Sequence, residues 1–104
     1  MRLAFLAALA VLTTPTLADA IAPGLYCPVG EQAQPILVDG DGILIDGLDC
    51  SGVSLRAGRV TASRCYANSG SETDYDGDLS LNADGTLKHD GITFRLYIGP
   101  RPCP

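Results

Sequence analysis

The sequence predicts an all-β protein, a small antiparallel meander of about seven or eight short strands forming a barrel or sandwich stapled by two disulfides. Three observations carry that expectation. Six glycines follow an aspartate, at Gly40, Gly42, Gly47, Gly77, Gly85 and Gly91. Asp-Gly marks hairpins because glycine accepts the positive φ that tight turns between twisted strands require. Residues 92–98 alternate, with Ile92, Phe94, Leu96 and Ile98 on one face and Thr93, Arg95 and Tyr97 on the other, which is the period of a half-buried strand. Beyond residue 20 no segment shows a helical period.

Residues 1–20 read as a cleaved secretory signal peptide, leaving residues 21–104 as a single small β domain. Arg2 supplies the positive start, residues 3–12 form an unbroken apolar run, Pro15 breaks it, and Ala18-Asp19-Ala20 offers a small-x-small cleavage pattern, with cleavage after Ala18 as the alternative. A run of ten residues is too short to span a bilayer, so no membrane insertion is expected once the signal is removed. The expected address is periplasmic or secreted.

Short β-rich stretches then follow at 35–38, 43–46, 53–56, 59–63, 79–82, 86–88 and 92–98. One hairpin can be registered from the sequence. With Ala57-Gly58 as a two-residue loop, Arg56 faces Arg59, Leu55 faces Val60 and Val53 faces Ala62, which puts the apolar residues on one face. The same ladder brings Cys50 opposite Cys65, within disulfide reach. It also puts both cysteines on the face away from Leu55 and Val60, so a bulge near Gly52 is expected. Cys27 and Cys103 remain to form the second bridge. An even set of cysteines with no CxxC spacing, in an oxidising compartment, reads as structural disulfides.

Composition explains why the bridges are needed. The first 20 residues hold 14 of the apolar side chains, and the other 84 residues carry only 34, five of them aromatic. A core that lean is marginal in so small a domain. The formal charge of −5 with seven Lys and Arg gives no basic face for nucleic acid.

The densest polar stretch is 69–78, Ser-Gly-Ser-Glu-Thr-Asp-Tyr-Asp-Gly-Asp, read as an acidic loop. Glu72, Asp74 and Asp76 take the first, third and fifth positions of a calcium loop and Gly77 the sixth, but the twelfth is Ala83 rather than a bidentate glutamate. The stretch reads first as a solvated acidic turn and no cofactor is expected, with weak Ca2+ held by Glu72, Asp74, Asp76 and Asp78 as the alternative. His89, the only histidine, leaves any zinc site short of its usual ligands. Beside the Asp90-Gly91 turn it reads as an exposed surface residue. With no GxSxG elbow and a single candidate base, the protein is expected not to be an enzyme. Arg56 and Arg59 project from the 57–58 hairpin as a charged edge.

Tyr26-Cys27-Pro28-Val29-Gly30, the late Cys103, the strand meander, and Ser69-Gly70 followed by Tyr75 and Gly77 are similar in outline to periplasmic c-type lysozyme inhibitors. Those are small β-barrels that insert a Ser/Tyr-bearing loop into the lysozyme cleft. The interval from Ser-Gly to Tyr is longer here, and Cys50 and Cys65 are additional. The expected function is a non-enzymatic binding module for another exported protein, through Ser69, Glu72, Asp74, Tyr75, Asp76, Arg56 and Arg59. One alternative, implied by the resemblance, is inhibition of a hydrolase such as lysozyme through the 68–78 loop. The other is a calcium-steadied surface protein.

Overall fold

In the computed structural model, which describes residues 17–104, two-residue turns set the register of the sheet. Asp46-Gly47, Ala57-Gly58 and Asp90-Gly91 each place consecutive residues at positive φ, near 52° and 77° in the first and closely alike in the others. Both residues left-handed is the type I′ geometry, whose twist matches that of the flanking strands. The short helix α1 (Leu17–Ala20) precedes ten strands: β1 (Gly24–Pro28), β2 (Ile36–Asp39), β3 (Gly42–Ile45), β4 (Leu48–Ser51), β5 (Ser54–Arg56), β6 (Arg59–Tyr66), β7 (Glu72–Asp78), β8 (Ser80–Leu81), β9 (Leu87–His89) and β10 (Ile92–Leu96). All pair antiparallel.

The sheet runs β5-β6-β4-β3-β2-β1-β10-β9-β8, with β7 paired to the other side of β6. One residue, Leu79, joins β7 at one end of this order to β8 at the other. The sheet must therefore curl until its two ends meet, and the result is a half-barrel with a seam at Leu79. Leu79 is fully buried there, and its N–H bonds the Gly58 carbonyl at 3.0 Å. The inner face carries Tyr26, Ile36, Val38, Ile45, Val60 and Phe94.

Most of the hairpin ladder read from the sequence is present. Arg56 pairs with Arg59, Leu55 with Val60 and Cys50 with Cys65. The inward-facing side chains step by three rather than two, from Cys50 to Val53 on one strand and from Ala62 to Cys65 on the other. Gly52 takes the left-handed conformation at φ 63°, and the β6–β7 register shifts between Ala62 and Cys65. This is the irregularity the cysteine geometry required. Both disulfides form as expected, Cys50–Cys65 across the ladder and Cys27–Cys103 across a separation of 76 residues.

Three expectations change. Residues 72–78 are a strand, not a loop; the loop of that hairpin is confined to residues 67–71, where the Gly70 N–H bonds the Ala67 carbonyl. Gly77 consequently sits inside β7 instead of in a turn. β1 and β4 were also absent from the expected strands. Of the expected export signal, residues 1–16 lie outside the described residues. Leu17, within that signal, is fully buried in the short helix.

Candidate functional site

Two hairpin turns and the end of β7 converge at the seam. Strand β9 alternates, with Leu87 and His89 inward and Lys88 outward, so the residue just before the Asp90-Gly91 turn is buried. This corrects the expectation of an exposed histidine: His89 is only 4% exposed. Its Nδ1 lies 2.6 Å from the Asp78 carbonyl oxygen. Its Nε2 lies 3.0 and 3.1 Å from the two carboxylate oxygens of Asp46 and 3.4 Å from Asp90 Oδ2. Both ring nitrogens therefore face acceptors, which the doubly protonated imidazolium satisfies as a donor at each.

The neighbouring groups lock this arrangement. Tyr75 donates its hydroxyl to Asp46 Oδ2 at 2.6 Å. The Asp90 N–H donates to the Asp78 carboxylate at 3.0 and 3.2 Å. Asp46 and Asp90 are each the first residue of a type I′ turn, so the turn geometry itself aims the two carboxylates. Tyr75 crosses to Asp46 over Gly77, where a Cβ would lie 2.7 Å from the ring Cζ. Any side chain at that position would have to displace the ring.

The electrostatics follow from these contacts. Burial pulls the His89 pKa down, but the Asp78 carbonyl, the Asp46 hydrogen bond and the charges of Asp46 and Asp90 outweigh it and leave it raised. Burial pushes Asp46 up, but the Tyr75 and His89 hydrogen bonds and the His89 charge hold it below its usual range. Burial and the Asp46 carboxylate push the Tyr75 phenol up. The carboxylates of Asp46, Asp78 and Asp90 thus surround the buried His89 ring and favour its charged form. The sequence signal for this site was the pair of Asp-Gly turns, but nothing local joined residues 46 and 89.

The residues singled out by sequence lie mostly on the outer side of β5, β6 and β7. Arg59 donates from Nε and Nη2 to Asp76 Oδ1 at 3.1 and 2.8 Å, an exposed pair that adds little to stability. Arg56 is Arg59's register partner on β5. Ser69 sits in the 67–71 loop with its hydroxyl 2.9 Å from that of Ser71. Glu72, Asp74 and Asp76 are exposed and alternate along β7. Neighbours on one side of a strand stand about 6.7 Å apart, so these acids form a row, and Asp78 at its end is engaged by the Asp90 N–H. A shallow groove of about 400 Å³ runs beside the row, lined by Ser54, Thr61, Ser63, Asp74 and Asp76 among others. Tyr75 lines the groove's edge but spends its hydroxyl on Asp46.

No family model matches the chain, and no curated protein or solved structure is detectably similar to it.

Proposed function

We propose that the protein is a non-enzymatic binding module acting in the periplasm or outside the cell, and that its contact face is the outer side of the β6–β7 hairpin. The carrying observation is the exposed row Glu72, Asp74 and Asp76 on a strand that, among the described residues, pairs only through its β6 edge. Such a row steers a basic protein surface toward it, which raises association rate and fixes orientation. The adjoining groove adds hydroxyl and carboxylate groups for hydrogen bonds. His89 supports the non-enzymatic reading, since in the metal-free fold both of its nitrogens are engaged by protein acceptors. Two disulfides are consistent with an oxidising compartment.

Within this reading a basic hydrolase such as lysozyme is a fitting partner, because Ser69 lies at the exposed tip of the same hairpin. The test is binding to immobilised lysozyme and, in parallel, capture from periplasmic or culture fluid, comparing the native protein with a Glu72→Lys, Asp74→Lys variant. Retained partner lost from the variant at an unchanged melting temperature supports the reading. Equal retention by both proteins assigns the row to the scaffold.

A further inference from the structure

We propose that Asp46, His89 and Asp90 form a site for a divalent transition-metal ion of the zinc class at the barrel seam. One ligand atom from each residue lies within 4.8 Å of the others, and His89 Nε2 stands 3.0 Å from Asp46 Oδ1 and 3.4 Å from Asp90 Oδ2. Tetrahedral ligands about 2.1 Å from zinc are roughly 3.4 Å apart. The two separations from His89 therefore already stand near the value that a shared ion imposes, and the two carboxylates lie within 4.8 Å of each other.

The surroundings are those of a histidine ligand. Nδ1 is held by the Asp78 backbone carbonyl at 2.6 Å, which fixes the ring plane and turns Nε2 toward the two carboxylates. Metal-binding histidines are commonly oriented by such a bond from the other nitrogen. Tyr75 performs the corresponding service for Asp46 through its hydrogen bond to Oδ2. Asp78's carboxylate lies on the Nδ1 side of the ring and accepts the Asp90 N–H, so it orients the turn and stays outside the ligand set.

The imidazole is 5% exposed, whereas the side chains of Asp46 and Asp90 are 46% and 66% exposed. The nitrogen thus forms the inner wall and the carboxylates face solvent, where water completes four-coordination. An imidazole nitrogen selects transition ions over calcium and magnesium, which prefer all-oxygen shells. On binding, the Nε2 proton leaves to solvent and the ion takes its place between His89 and the carboxylates, while Nδ1–H stays on the Asp78 carbonyl. Two carboxylates balance the charge of the ion. The site is separate from the Glu72, Asp74, Asp76 row and independent of the binding role proposed for it.

The experiment is titration of zinc chloride into the chelator-stripped, disulfide-intact protein, followed by calorimetry and thermal melting. One ion bound per chain, with a rise in melting temperature that a chelator reverses, is the expected result. Asp90→Asn removes a ligand from an exposed turn and should weaken binding by at least tenfold, and Tyr75→Phe by about tenfold. His89→Gln should abolish it; if that variant does not fold, Asp90→Asn carries the comparison. Replacing Glu72, Asp74 and Asp76 by their amides should leave zinc affinity unchanged. The proposal is overturned if millimolar zinc gives neither heat nor a melting shift, if Asp90→Asn binds as the native protein does, or if only the amide variant loses binding.

Discussion

Tyr75 and Asp46, 29 residues apart in sequence, are joined by a hydrogen bond of 2.6 Å from the phenol to the carboxylate. The bond links the middle of β7 to the β3–β4 turn, and the same carboxylate holds His89. A cross-barrel contact of this kind ties the edge strand down where, among the described residues, it has no strand neighbour beyond β6. Tyr75→Phe keeps the ring packing and deletes only the hydroxyl. Hydrogen bonds to charged groups contribute about 1.5–3 kcal/mol, and partial solvent exposure places this one below that range, at about 1 kcal/mol. Urea unfolding should show that loss with an unchanged slope. An unaltered midpoint would mean that water replaces the phenol without penalty.

The metal-free protein should have a stability plateau bounded by two of these groups. His89 is raised from its ordinary 6.5, so its contribution is complete below that value and is lost as pH rises through the folded pKa. Asp46 is lowered from 3.8, so its contribution is complete above that value and is lost as pH falls through the folded pKa. The plateau therefore lies between about pH 4 and about 6.5. Asp46, Asp78 and Asp90 are the carboxylates facing His89, with Tyr75 behind Asp46. Melting temperatures measured across this range in chelator should fall on the alkaline side. Asp46→Asn should make that fall shallower, because it removes His89's strongest anionic partner; an identical profile in the variant would place the transition elsewhere.

Gly77→Ala tests whether Tyr75 needs the space above its own strand. The backbone at Gly77 does not need a left-handed conformation, so the only obstacle is the collision of the new Cβ with the ring. Forcing the ring aside costs about 1–3 kcal/mol, in the range of overpacked sites. It should also break the bond to Asp46. In a Tyr75→Ala background the same substitution should cost little, giving a non-additive double-mutant cycle. Additive effects would show that Gly77 is required for a reason unrelated to Tyr75.

The reach of the sequence differed between local and distant relationships. The β5–β6 hairpin was legible because Ala57-Gly58 fixes a two-residue turn and the apolar pattern then fixes register. From that register Cys50 opposite Cys65 followed, and so did the need for a bulge. Strand β7 was not legible, since Glu72, Asp74 and Asp76 are poor strand formers read singly. Their alternation with Thr73, Tyr75 and Gly77 was the available signal. β1 escaped because Tyr26 and Cys27 are both buried, which hides the period of two. His89 looked exposed because it adjoins a turn, yet its place in β9 is set by Leu87 facing inward two residues earlier. Its partner Asp46 lies 43 residues away, and only closure of the sheet at Leu79 brings the two together.

The two disulfides should contribute unequally. In the chain-entropy model a closure of 15 residues stabilises by about 3 kcal/mol, and one of 76 residues by about 4.5 kcal/mol. Cys50–Cys65 also repeats a constraint that the Ala57-Gly58 turn and its ladder already impose, which lowers its effect further. Cys27–Cys103 ties the first strand to the chain beyond the last, where no hairpin does the same. Replacing Cys27 and Cys103 together by alanine should therefore lower the urea midpoint more than replacing Cys50 and Cys65. The ordering is the discriminating result. A larger loss from the Cys50, Cys65 pair would show that the left-handed turn of the chain at Gly52, and the three-residue step on both strands, depends on that bridge to persist.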